Sequence, residues 1–195
     1  MSERRATVRR ETSETRITVE VNLDGTGRHD IVTPLPFLSH MLEQLPRHGR
    51  FDLTVRAEGD VHIDGHHTTE DVGIVLGQAL REALGDRRGI NRYGHATLPM
   101  DEARVSCSLD LSGRAFFVWD VDMPKAKIGQ WDTELAEVFF EALARSAQIN
   151  LHVVQEAGKN LHHITEIAFK ALARALRDAV RVDGDQIPST KGSLD

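Results

Sequence analysis

Apolar residues recur along this chain with two periods. The stretch "ETRITVEVNLDG" (14–25) alternates apolar and polar positions and ends at glycine, and "EARVSCSLDLSG" (102–113) does the same 88 residues later. Glu14 matches Glu102, Arg16 matches Arg104, Leu23 matches Leu111 and Gly25 matches Gly113. Both read as strands running into a turn. "FDLTVRAEGD" (51–60) resembles "INLHVVQEAG" (149–158) at an offset of 98, and each reads as a further strand. The period then changes. Val72, Val75, Leu76, Ala79, Leu80 and Ala83 make one apolar stripe before Gly85, and Ile164, Ile167, Ala168, Ala171, Leu172, Ala175, Leu176 and Ala179 make another before Gly184. That spacing predicts two amphipathic helices. Shorter helices are predicted at "FLSHMLEQL" and "TELAEVFFEALA".

The chain therefore reads as an internal duplication of ββαβα-type halves, residues 1–90 and 91–195, meeting near "GDRRGINRYG" (85–94). The class is α+β, sheets with helices on one face. Neither half need be stable alone, because each helical stripe needs a partner; one compact unit is expected.

Composition narrows the partners. With 195 residues, 40% apolar and 28% charged, the chain has an ordinary globular balance. A net charge of -6 argues against a general nucleic-acid surface. Arg4-Arg5 and Arg9-Arg10 are balanced by nearby acids, so the N-terminus reads as solvated and mobile. The one cysteine, Cys107, allows no disulfide within the chain and reads as a small core residue of a strand. The start lacks the apolar core of a secretory signal and no apolar run reaches membrane-spanning length, so a cytoplasmic protein is expected.

The chemistry concentrates in histidines. "HHTTED" (66–71) and "HHITE" (162–166) occupy equivalent places in the two halves. Imidazole and carboxylate are usual ligands of a first-row metal. On a helix, residues i and i+4 share a face, so His66 goes with Glu70 and His162 with Glu166. Adjacent histidines diverge by roughly 100° and suit two different metals. The spacing suggests one ion using His66, Glu70 and His163, and another using His162, Glu166 and His67. His40, amid apolar residues of the earlier helix, is a candidate fourth ligand, and its repeat mate is Val138. The tail "IPSTKG" (187–192) offers Ser189 and Lys191 to an anion, but it lacks the context of a phosphate-binding loop. Arg92 and Arg114 are ambiguous alone.

Together "LDGTG", "LPFLSHML", "FDLTVRAEGDVHIDGHHTTEDVGI", "RYG", "PMDEA", "DLSGR", "LHV", "HHITEIAFKALARAL" and "PSTKG" resemble, in order, the imidazoleglycerol-phosphate dehydratase family. The resemblance implies four-stranded sheets with helices on one face, of the ribosomal protein S5 domain 2-like kind. It also implies a homo-oligomer, a 24-mer built around trimers, with sites between subunits that hold two manganese ions each. It assigns His40, His67, His162 and Glu166 to one metal, and His66, Glu70, His163 and one further histidine to the other. That last position falls on Val138, which supplies no lone pair, so a weaker second site and impaired activity are expected. Glu14, Arg92, Arg114, Ser189 and Lys191 match substrate contacts. The implied reaction converts imidazole glycerol phosphate to imidazole acetol phosphate in histidine biosynthesis. Glu14 is the first choice for proton transfer, ahead of Glu70 and Glu166. The alternatives are a non-catalytic metal-binding assembly and another two-metal enzyme acting on phosphate esters.

Overall fold

A computed structural model describes residues 4–194. The first half runs β1 (Arg5–Glu11), β2 (Thr15–Asn22), β3 (His29–Val32), α1 (Pro36–Gly49), β4 (Asp52–Gly59) and α2 (His66–Leu84). The second runs β5 (Tyr93–Met100), β6 (Ala103–Asp110), β7 (Phe116–Asp120), a small hairpin of β8 (Lys127–Ile128) and β9 (Trp131–Asp132), α3 (Leu135–Ala147), β10 (Asn150–Ala157) and α4 (Leu161–Ala179). The two four-stranded sheets have the same connectivity, β1-β2-β4-β3 and β5-β6-β10-β7. The register repeats as well: Val19 faces Val55 in one sheet, and Cys107 faces Val153 at the equivalent place in the other.

The strands that the apolar pattern left out are the edge strands β1 and β5. The arginine-rich N-terminus, read as solvated and mobile, is in fact paired to β2 over Arg5–Glu11. Its side chains are largely exposed, which is why composition suggested a loose segment, but its backbone belongs to the ladder. Arg10 adds an inward tie, with Nε 2.9 Å from Asp71 on α2.

Each sheet carries its own helices on one face: α2 rests on β1 and β2, α1 on β3 and β4, α4 on β5 and β6, α3 on β7. The helical layers then pack on each other across the halves, α1 on α4 and α2 on α3. The result is sheet, helices, helices, sheet, with the core between. Phe139, Phe140 and Phe169 meet there at ring distances of 4.9–5.7 Å. On α2, Gly73 and Gly77 let α3 approach closely; a Cβ at Gly77 would stand 2.6 Å from the Leu143 carbonyl. Both helix pairs run parallel, since Phe37 and His40 meet His162 and Glu166 while Gly49 meets Ala173.

Local chemistry starts and stops these elements. Pro36 opens α1, where a missing N–H costs nothing. Asp64 accepts from the His66 N–H at 2.8 Å, and Asn160 caps α4 by accepting from the His162 and His163 N–H groups. Asp52 gathers the turn before β3, taking the N–H groups of Thr26, Gly27 and Arg28 at 2.8–3.1 Å.

Candidate active site

The two histidine pairs sit in the first turns of α2 and α4 because the caps fix where those helices begin. From there the structure gathers one compact set. His40 of α1, with His162 and Glu166 of α4, offers ligand atoms that all lie within 4.8 Å of one another. Nε2 of His162 is 3.1 Å, and Nε2 of His40 3.4 Å, from the same Glu166 oxygen. Burial by itself would raise the Glu166 carboxyl, but Lys170, whose Nζ is 2.6 Å from the other oxygen, and the two histidines outweigh it and hold it below the usual range. Glu166 thus stays ionised and keeps one oxygen for the histidines. Two imidazoles and a carboxylate at this spacing fit a divalent first-row metal.

The first half does not repeat this set. His66 and Glu70 are exposed. The helix that packs on α2 is α3, and it carries Val138 where α1 carries His40. Among the described residues no second three-ligand group forms. Nor is the expected cross-pairing made within one chain: His67 and His163 lie outside the His40 set and turn to local carboxylates. His163 Nδ1 is 2.8 Å from Glu102, and His67 Nδ1 is 3.0 Å from Asp60. Each histidine is thereby held through Nδ1, and His163 Nε2 also lies 3.7 Å from Asp101. The hydrogen bond from His163 and the N–H groups of Asn160 and Lys159 bring the Glu102 carboxyl down to about 2. Hydrogen bonds to Asp60 and Glu102 raise the His67 and His163 imidazoles above their ordinary value. Glu14, the repeat mate of Glu102, stands half exposed with its carboxylate 3.8 Å from His67.

Asp60, Glu102 and Lys170 were not singled out as site residues by the sequence. Glu102 could have been found through its repeat relation to Glu14; Asp60 and Lys170 carry no local signal. The hairpin of β8 and β9 was missed too. It packs Trp131 against Phe37, with ring centroids 5.1 Å apart, beside His162. A cleft lined by Ile128, Gln130, Trp131, Phe37, His40 and His162 opens there.

The anion candidates come together in a separate cleft of about 570 Å³ lined by Arg92, Arg114, Ser189, Thr190 and Lys191. Arg92 is largely committed: it forms a two-point ion pair with Asp110 at 2.7 and 3.0 Å and donates to the Pro188 carbonyl at 2.8 Å. Arg114 and Lys191 are exposed and make no side-chain ion pair among the described residues. This cleft is tied to the far end of α4, where the Arg92 N–H bonds the Ala179 carbonyl. At ~1.5 Å rise per residue, His162 and Ala179 are roughly 25 Å apart along that helix.

Two solved structures that share this architecture are dehydratases. The crystal structure of imidazoleglycerol-phosphate dehydratase from Staphylococcus aureus superposes with a TM-score of 0.83 at 35% identity, covering 91% of this chain and 99% of that one. The Pyrococcus furiosus enzyme in complex with (S)-C348 gives 0.83 at 38%, covering 96% and 100%. The fold is thus that of a carbon–oxygen lyase. A family model described as imidazoleglycerol-phosphate dehydratase matches residues 33–176. Proteins of that name from Jannaschia sp. (strain CCS1) and Ruegeria pomeroyi are 62% and 60% identical over 194 residues, covering 98% of this chain and 100% of each relative. The chain belongs to the imidazoleglycerol-phosphate dehydratase family, enzymes of histidine biosynthesis. No helix among the described residues is long and apolar enough to cross a membrane.

Proposed function

We propose that this chain dehydrates imidazole glycerol phosphate to imidazole acetol phosphate at sites shared between copies of itself, in a cytoplasmic homo-oligomer of the 24-mer kind. One observation carries the shared site. The His40–His162–Glu166 set and the anion cleft lie at opposite ends of α4, roughly 25 Å apart, too far for one small substrate to touch both in one chain.

Divalent metals, manganese in this reading, supply Lewis acidity and a fixed template for the imidazole ring when bound. His40, His162 and Glu166 hold one of them, with His67 of another copy completing the set. His66, Glu70 and His163 hold the second, whose last position is Val138. In the cleft, Arg114 and Lys191 neutralise the phosphate and Ser189 adds a hydrogen bond, with Arg92 fixing the wall beside them. Glu14, solvent-accessible and 3.8 Å from His67, takes the proton from carbon in this reading and returns one to the departing hydroxyl. Glu70 and Glu166 are better occupied as ligands.

The test is turnover of imidazole glycerol phosphate with manganese added, its loss on chelation, and metal quantification on the same sample. Metal binding without turnover supports a non-catalytic assembly. Release of inorganic phosphate in place of dehydration supports a phosphate-ester enzyme.

A further inference from the structure

Of the junction between the halves only Arg92 has a part in the reaction above, yet three of its arginines reach for the C-terminal segment. Arg88 Nη1 donates to the Asp185 carbonyl at 3.1 Å, Arg92 Nη1 to Pro188 at 2.8 Å, and Arg87 Nη1 to Leu194 at 2.8 Å. The Gly89 N–H adds a bond to the Gln186 carbonyl at 2.8 Å. These contacts bracket Ser189–Lys191, which are otherwise held by local turns such as Gly192 N–H to Ser189 O.

The three arginines are not equivalent. Arg88 is paired with Asp86, and Arg92 with Asp110. Arg87 is 8% exposed and has no ion pair among the described residues. Its Nε is buried without a partner. Its backbone is in the left-handed region at φ 59°. Burying an unpaired guanidinium is costly, and a position kept for stability alone would be better filled by an apolar side chain. Gly113, at φ 86°, makes room for the contact: a Cβ there would stand 2.3 Å from the Leu194 carbonyl and 2.9 Å from Arg87 Nη1. Gly113 directly precedes Arg114. The Arg87–Leu194 bond therefore presses the far end of the tail against the loop that carries Arg114.

We propose that Arg87 is a positioning residue for the anion cleft: by fixing the Leu194 carbonyl it sets where Ser189 and Lys191 stand relative to Arg114. Its positive charge behind the tail also favours an anion in front of it. The inference rests on the cleft taking the substrate's phosphate.

The experiment compares the full-length enzyme, Arg87→Met, Arg87→Lys, a chain lacking residues 193–195, and that deletion combined with Arg87→Met. Three quantities are read: KM against kcat, the dissociation constant of inorganic phosphate by calorimetric titration, and the rate of tryptic cleavage after Lys191. Arg87→Met raises KM and the phosphate constant about tenfold, the size of one lost charge-assisted bond, and leaves kcat within about threefold. It also speeds cleavage after Lys191. The deletion does the same, the combination adds nothing further, and Arg87→Lys, still a donor, recovers most of the loss. Unchanged KM and cleavage in Arg87→Met, or additive effects in the combination, overturn the proposal. Should Arg87→Met fold poorly, the deletion alone decides, since it keeps the arginine: an unchanged phosphate constant overturns the latch. Phosphate binding and cleavage after Lys191 do not need turnover, so they separate failure of the latch from failure of the dehydratase reading.

Discussion

Glu102 accepts from the backbone of Lys159 and Asn160 and pairs with His163 at 2.8 Å, whereas Glu14, at the equivalent place 88 residues earlier, is only a longer 3.8 Å partner of His67. The difference lies in Asp60, which holds His67 at 3.0 Å and leaves Glu14 half exposed. Carboxylates that orient a ligating histidine typically contribute 10–100-fold to metal affinity. Asp60→Asn is therefore expected to weaken manganese binding by at least about tenfold, read by calorimetric titration. Wild-type affinity would mean that Asp60 does not orient His67. Position 138 invites the reverse change. Val138→His restores on α3 what α1 presents as His40, and should raise metal content per chain by elemental analysis and lower the manganese needed for half-maximal rate. If both stay put, the missing ligand is not what limits the second site. The histidine pairs were legible because both ligands of each HHxxE lie on one helical turn. Asp60, Lys170 and Arg87 were not, since their meaning depends on what the fold brings to them from elsewhere in the chain.

The elements owe much to short polar turns and to two glycines. For Asp52, burial opposes ionisation, yet hydrogen bonds from the Thr26 N–H, the Arg28 side chain and the Arg28 N–H outweigh it and lower the carboxyl to about 2. A depressed acid stabilises the fold above its ordinary value of 3.8, and the contribution is lost as pH falls through about 2. Asp52→Ala should cost about 1–2 kcal/mol at neutral pH. In paired thermal melts the gap should narrow as pH drops from 3.8 toward about 2; a gap independent of pH would show that the ionised carboxylate is not its source. Between helices, Gly77→Val drives a side chain into the Leu143 carbonyl and the Ala147 N–H, and a loss of roughly 2 kcal/mol is expected from denaturant unfolding. Stability at or above wild type would mean that α3 can yield. The helices and inner strands followed from their apolar periods. β1 and β5 escaped because an edge strand buries little: Ala6 and Val8 do face inward in alternation, but among four arginines they make a faint signal.

At the scale of the molecule, the helices interleave so that each half covers the other's apolar stripe, while the two sets of candidate site residues end up far apart. That distance carries a mixing prediction. Glu14→Gln lies at the histidine end and Lys191→Ala in the anion cleft. Each variant alone should be nearly inactive, and co-assembly of the two should restore a measurable fraction of wild-type rate, because some sites then combine an intact residue from each chain. No recovery in verified mixed oligomers would place the whole site within one chain. The duplication itself was readable from matched strands at offsets of 88 and 98.

The change between those two offsets has a consequence of its own. Equivalent residues are 88 apart through the third strand of each half and 98 apart in the helix and strand that follow. The added length contains the β8–β9 hairpin, whose buried Trp131 packs on Phe37 beside His162 and reaches Thr69 of α2 through its indole N–H at 3.4 Å. A duplicated site would greet an imidazole ring, itself nearly symmetric about its two nitrogens, equally well either way round, and one of the two orientations would carry the glycerol chain away from the phosphate cleft. An ornament present in one copy only breaks that symmetry, and under the dehydratase reading it would give the site a left and a right, and with them one direction for the substrate to lie.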